Sequence, residues 1–251
     1  MEITDAFLLF IAGVIGGALN AVVGGGAFIA FPALIFLGVP PIQANATMTV
    51  SLWPGTLASL WAQRRELLSH TQMLPLFIPL SLLGGGIGAF TLITLSNSHF
   101  ALVVPYMLLL ATLVFTFQRQ LIDWSTRQHW HISIWIPLLV IAIYGGFFGA
   151  GMGIMFLAFL GIIGMKNMHE ANALRNCSTA CINSIASFIF IISDKVVWTN
   201  MLMMCAGAIV GGYFCAHYAR KLSSELLRIA VMITAWIMTV YFFWKYLLEA
   251  S

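Results

Sequence analysis

The residues best suited to chemistry cluster in one apolar run, "EANALRNCSTACINS", residues 170–184. Arg175 lies inside it. An arginine in hydrocarbon is expensive and usually functional, and its planar fork suits carboxylate, sulfite-like or phosphate oxygens. Two readings stay open: contact with an anionic substrate or its gate, or snorkelling to the interface with Glu170 as partner. Asn172 and Asn176 are spaced i,i+4 and share a helix face. A related run, "QANATMTVS" at 43–51, puts Asn45 and Thr49 in the same relation. Each asparagine could cap its helix. Polar stripes that continue through Thr47, Ser51, Ser178 and Asn183 argue instead for a face turned to a cavity. His169 and Glu170 could relay protons or be a solvated pair. Cys177 and Cys181, also i,i+4, could handle sulfur or metal, or pack as small apolar groups. Four cysteines without a secreted framework suggest no disulfides. His99, His129 and His131 lack ligand spacing on one helix. No metal and no cofactor is expected.

Before each of these runs stands a glycine cluster: "VVGGGAF" at 22–28 and "FFGAGMGIM" at 147–155. An unpaired backbone amide costs several kcal/mol in a bilayer, so a broken helix persists only where protein or a water-filled cavity covers it. At such a break the positive end of a half-helix and its unbonded N–H groups can hold an anion. The competing reading is close helix packing by small residues. The candidate substrate-binding set is therefore Gly24, Gly25, Gly26, Asn45, Thr49, Gly151, Gly153, Asn172, Arg175 and Asn176.

What must position these residues is a membrane domain. Of 251 residues, 61% are hydrophobic and 8% charged, with mean hydropathy +0.98. Soluble domains carry about a quarter charged residues. Apolar segments lie near 5–23, 27–38, 43–62, 72–95, 99–118, 132–148, 153–164, 172–193, 198–217 and 226–247, without strand alternation. The expected fold is an all-α integral membrane protein. The opening "MEITDAFLLF" lacks a basic n-region and does not resemble a cleaved signal peptide. Trp53, Trp61, Trp124, Trp130, Trp135 and Trp198 read mostly as interfacial anchors. The cations occur in ones and twos, which gives no nucleic-acid surface; the bilayer is the expected partner, and a homo-oligomer is compatible with the sequence.

The halves match. Gly26 to Asn45 and Gly153 to Asn172 span the same 19 residues, and Gly84 and Gly88 match Gly207 and Gly211. Two repeats of about five segments follow, 1–125 and 126–251, with glycine-broken short helices or hairpins in each. If the second repeat is inverted, nine of the eleven cations fall on one side and only Lys195 and Lys245 on the other. Parallel repeats would split them six to five. Basic residues gather on the cytoplasmic face, so the inverted arrangement is expected, with both termini outside.

The glycine cluster before "FIAFPALIFLGVPPIQANAT", its degenerate second copy and the later "GGGIGA" resemble the TauE/SafE (TSUP) family of sulfite exporters over about 10–245. The resemblance implies a multi-pass bacterial inner-membrane transporter of sulfite, sulfonates or related small organic anions, with its site between the two motif copies. The second copy departs from the first, with "GAGMG" for the longer glycine run and "LRN" for "TMT". A monovalent anion leaving a negative interior gains about 2.3 kcal/mol per 100 mV, which favours export by alternating access. An anion channel or uniporter is the alternative. An intramembrane enzyme is disfavoured, because the spans lack aspartate pairs and a GxS elbow.

Overall fold

The computed structural model describes residues 2–22, 24–68, 71–128, 133–165, 167–218 and 224–248, and the regular structure among them is all helix, without strands. The expected all-α membrane fold is what forms. The helices are α1 (Ile3–Val22), α2 (Ala27–Phe36), α3 (Pro41–Ala62), α4 (Arg64–Leu68), α5 (Leu74–Thr94), α6 (Asn97–Gln128), α7 (Trp135–Phe147), α8 (Met152–Ile162), α9 (Met168–Ile192), α10 (Trp198–Tyr218) and α11 (Ser224–Phe243), the last continuing as a π-turn through Leu248. Helix α6 runs ten residues beyond the apolar segment ending at 118, because "RQLIDWSTRQ" contains no breaker.

Four described stretches have both the length and the apolarity of a complete crossing: Ile3–Asn20, Leu74–Thr94, Asn97–Gln118 and Glu170–Ile192. Helix α3 has the length, at 22 residues, but its polar stripe makes it less apolar. By contrast α2 and α8 have only 10 and 11 residues, and at ~1.5 Å per residue neither crosses alone. Both short helices stop in the same way. Gly38 and Gly164 adopt positive φ, +77° and +90°. Val39 N–H then donates to the Leu34 carbonyl and Met165 N–H to that of Leu160, the six-to-one bond of a Schellman stop.

Helices pair mainly across the two halves. α1 packs on α10 and α5 on α7; α5 also packs on α9, and α10 on α3. Exchanging α1 with α7, α2 with α8, α3 with α9, α5 with α10 and α6 with α11 turns each of these pairs into another that is present. Glycines set the closest approaches. A Cβ at Gly13 or Gly17 would strike the Met204 or Ala208 carbonyl, and one at Gly207 or Gly211 the Phe10 or Val14 carbonyl. Gly84 and Gly88 do the same work against Leu139, Ala142 and Ile143 of α7. With hydrocarbon on every side, such backbone proximity supplies the van der Waals contact that holds helices together.

A control glycine makes this testable. Gly17→Leu is expected to destabilise the protein by about 1–3 kcal/mol or more, seen as a lowered melting temperature and a broadened size-exclusion peak. At Gly212 the nearest atom to an added Cβ is 3.9 Å away. Gly212→Ala should therefore stabilise by about 0.5–1 kcal/mol, through helix propensity alone.

Candidate functional site

Hydrogen bonds between side chains fix how the central helices run. Trp53 Nε1 donates to Ser184 Oγ at 2.9 Å, and Asn176 Nδ2 to Gln63 Oε1 at 3.1 Å. As α3 is followed forward, its partners on α9 run backward, so these helices are antiparallel. Thr112 with Thr239 and Thr116 with Trp236 give the same result for α6 and α11. Trp53 is thus half-buried between helices, not an interfacial anchor, because its N–H finds an acceptor there. Trp61, Trp135 and Trp198 are exposed; the side chains of Trp124 and Trp130 lie outside the described residues.

Between α3 and α9 is a partly open cavity. Its α3 wall is Met48, Thr49, Leu52, Thr56 and Ser59, a spacing that keeps one helix face turned inward. The α9 wall is Arg175, Asn176, Thr179 and Asn183 on the same logic. Its end is built by the two chain breaks: Gly24 and Ala27 beside α2, and Gly149, Met152 and Gly153 at the start of α8, with Asn20 from α1. The breaks touch. A Cβ on Gly24 would lie 3.5 Å from the Gly153 Cα, and one on Gly153 would lie 3.5 Å from the Gly24 Cα. Glycine is favoured at position 24 by φ +81°, and an added Cβ would crowd Arg175 Nη1 at 3.2 Å.

Arg175 sits two turns into α9 and is 3% exposed, so its guanidinium is inside the protein and not at the lipid–water interface. Nε and Nη2 both donate to Asn176 Oδ1, at 3.1 and 2.8 Å. Nη1 is buried with no hydrogen-bond partner. It lies 3.2 Å from the Cβ position of Gly24 and 3.7 Å from that of Gly153, between the starts of the two short helices. First-turn N–H groups of a helix have no acceptor within it, and those starts carry partial positive charge. The guanidinium and the positive ends of two short helices therefore meet in one small volume.

Of the ten residues expected to bind substrate, Gly24, Thr49, Gly153, Arg175 and Asn176 line this cavity. The others serve nearby. Asn45 donates its amide to the Phe147 carbonyl at the end of α7, at 3.1 Å, and its buried Oδ1 has no hydrogen-bond partner. Gly26 lets the Gly16 backbone approach, and Gly25 faces Val231. Gly151 caps α8 at φ +75° against Ala111. Asn172 is half-buried on α9, away from the cavity wall. Asn20, Thr56, Ser59 and Thr179 belong to the site without having been expected there. Thr56 and Ser59 follow Thr49 by seven and ten residues on one helical face, a signal the sequence carried. Cys177, Cys181 and Cys205 are free thiols outside the cavity wall. The side chains of His169 and Cys215 lie outside the described residues. Glu170 accepts a hydrogen bond from Asn167.

Comparison with known proteins gives this architecture its lineage. The family model described as "Sulfite exporter TauE/SafE" matches residues 9–242. The chain belongs to the TauE/SafE family. A Haemophilus influenzae protein described as "Probable membrane transporter protein" is 29% identical over 237 residues, 92% of each chain. A Sinorhizobium protein, "Probable membrane transporter protein ORF9", is 25% identical over 90% of this chain and 88% of its own. "Probable membrane transporter protein YfcA" of Escherichia coli K12 is 24% identical, covering 92% and 87%. No solved structure matches. This TauE/SafE chain is thus a membrane transporter by family, and its cavity sits where the two glycine breaks meet.

Proposed function

We propose that this chain is a secondary transporter that exports a small anion, sulfite or a sulfonate or related small organic anion, across a bacterial inner membrane. The observation that carries this reading is the unpartnered Arg175 Nη1 held between Gly24 and Gly153. A buried cationic donor with no acceptor is costly, and an oxyanion there relieves that cost. The site binds substrate and is not catalytic; the reading assigns the chain no enzymatic role and no cofactor.

The halves 1–125 and 126–251 act as inverted repeats. Antiparallel α3/α9 and α6/α11, and packing pairs that survive exchange of the halves, support this. Arg64 and Arg65 follow the end of α3, which by the positive-inside rule is the cytoplasmic end; both termini are then periplasmic. Rocking one half against the other closes that end and opens the opposite one.

Proteoliposome currents on a solid-supported membrane test the reading with sulfite, sulfoacetate, thiosulfate, acetate and taurine. Currents should saturate with sulfite or an organic sulfonate. Currents that grow with voltage and do not saturate with substrate would indicate a pore, and no response to any anion would remove the proposal.

A further inference from the structure

Arg175 is held by an amide and not by a carboxylate. Asn176 Oδ1 accepts from both Nε and Nη2, the edge at which an arginine commonly receives a carboxylate in bidentate fashion. The amide fixes the guanidinium as firmly in geometry but contributes no negative charge. Asn176 is fixed in turn, since its Nδ2 donates to Gln63 Oε1 across the α3–α9 gap. Among the described residues of the cavity wall, Arg175 is the one charged side chain; the remaining polar groups are the amides of Asn20, Asn176 and Asn183 and the hydroxyls of Thr49, Thr56, Ser59 and Thr179. The wall is completed by Ala27, Met48, Leu52 and Met152, which offer a second charge nothing to pair with.

We infer that this cavity selects its substrate by charge state, admitting monoanions such as bisulfite or a simple alkanesulfonate and rejecting dianions, the doubly charged form of sulfite and sulfoacetate among them. The inference rests on the anion-carrier reading and deepens it. One guanidinium whose charge is left uncompensated by its own protein partner is neutralised by one negative charge. When the open side shuts, a second negative charge would have only the partial charges of the two helix starts to offset it, set among methionine and leucine, and a buried ion without a full counter-charge is strongly disfavoured. Neutral amides and hydroxyls can still serve the remaining oxygens of either ligand, so shape alone does not discriminate. Asn176 is the positioning residue that keeps the charge available.

Two tests use the full chain purified in detergent, at pH 7.5. In the first, binding of methanesulfonate is compared with that of sulfate, tetrahedral oxyanions of nearly one size that differ by one charge, and butyrate is compared with succinate. In each pair the monoanion should bind at least tenfold more tightly. A dianion that equals or exceeds its monoanion in either pair overturns charge selection and leaves anion transport standing. Binding by none of the four overturns the carrier reading as well. In the second test, Asn176→Asp keeps the shape and adds the internal counter-ion. Methanesulfonate affinity should fall at least a hundredfold while the melting temperature stays at or above that of the wild type. Asn176→Ala, which leaves the charge in place, should lose only severalfold. Wild-type affinity in Asn176→Asp overturns the inference.

Discussion

Arg175→Met is expected to remove anion binding and to raise the melting temperature at the same time. Methionine is the residue at the matching position of the first half, Met48, so the substitution imposes symmetry on the cavity wall. Truncating one partner of a buried charged pair costs about 2–5 kcal/mol, which corresponds to a roughly thirtyfold to several-thousandfold loss of affinity. Stability should move the other way. Replacing a buried ion by an apolar side chain of similar volume is often neutral to about 4 kcal/mol stabilising, and here an unpartnered Nη1 disappears with it. Asn176 Oδ1 loses its donors, which offsets about 1 kcal/mol. A net gain near 1 kcal/mol raises the melting temperature of a chain this size by roughly 2–4 °C. Thermal unfolding with and without anion reads both effects. Loss of stability together with loss of binding would mean that Arg175 is structural.

Gly24→Val should abolish transport in a protein that still folds, and Gly38→Val should not. Both glycines have nearly the same positive φ, +81° and +77°, so a β-branched residue is strained equally at each, by about 1–2 kcal/mol. Their surroundings differ. A side chain at Gly24 enters the space beside Arg175 Nη1 and Gly153, whereas one at Gly38 meets nothing within 4 Å. Flux should therefore drop at least a hundredfold for the first and stay within about threefold for the second, with comparable losses of thermal stability. Equal flux in the two variants would show that the glycine break is only a turn.

Much of this architecture was legible because hydrocarbon leaves few options. Segment lengths against bilayer thickness identified the two short helices, and the equal glycine-to-asparagine intervals identified their kinship. The same glycine match anticipated that Gly84 and Gly207 would play one role, and each does lie against the first helix of the opposite half. Arg175 stood out because its cost in an apolar run demanded a reason. Asparagine was harder to read. Asn45 and Thr49 share a face by spacing, yet Thr49 reaches the cavity while Asn45 lies one turn away and bonds the end of α7. Which member of a stripe faces open space depends on where the neighbouring helix ends, and α7 ends at Phe147, a hundred residues distant. Asn20 was missed for a related reason. A single asparagine near the end of an apolar span looks unremarkable until tertiary packing brings the Gly24 break beside the start of α8. Trp53 belonged by type to the interface, but an acceptor on α9 drew it inward.

The account rests on the two glycine breaks and Arg175 forming a single anion position, and locating a labelled anion tests that most directly. Crystals of the full chain with 2-bromoethanesulfonate, measured at the bromine absorption edge, should show one bromine peak in the α3–α9 cavity. Its sulfonate should lie within hydrogen-bond distance of Arg175 Nη1 and against the Gly24–Gly153 contact. A sulfonate bound elsewhere, with the glycine breaks separated and Arg175 engaged by a carboxylate of the protein, would contradict it.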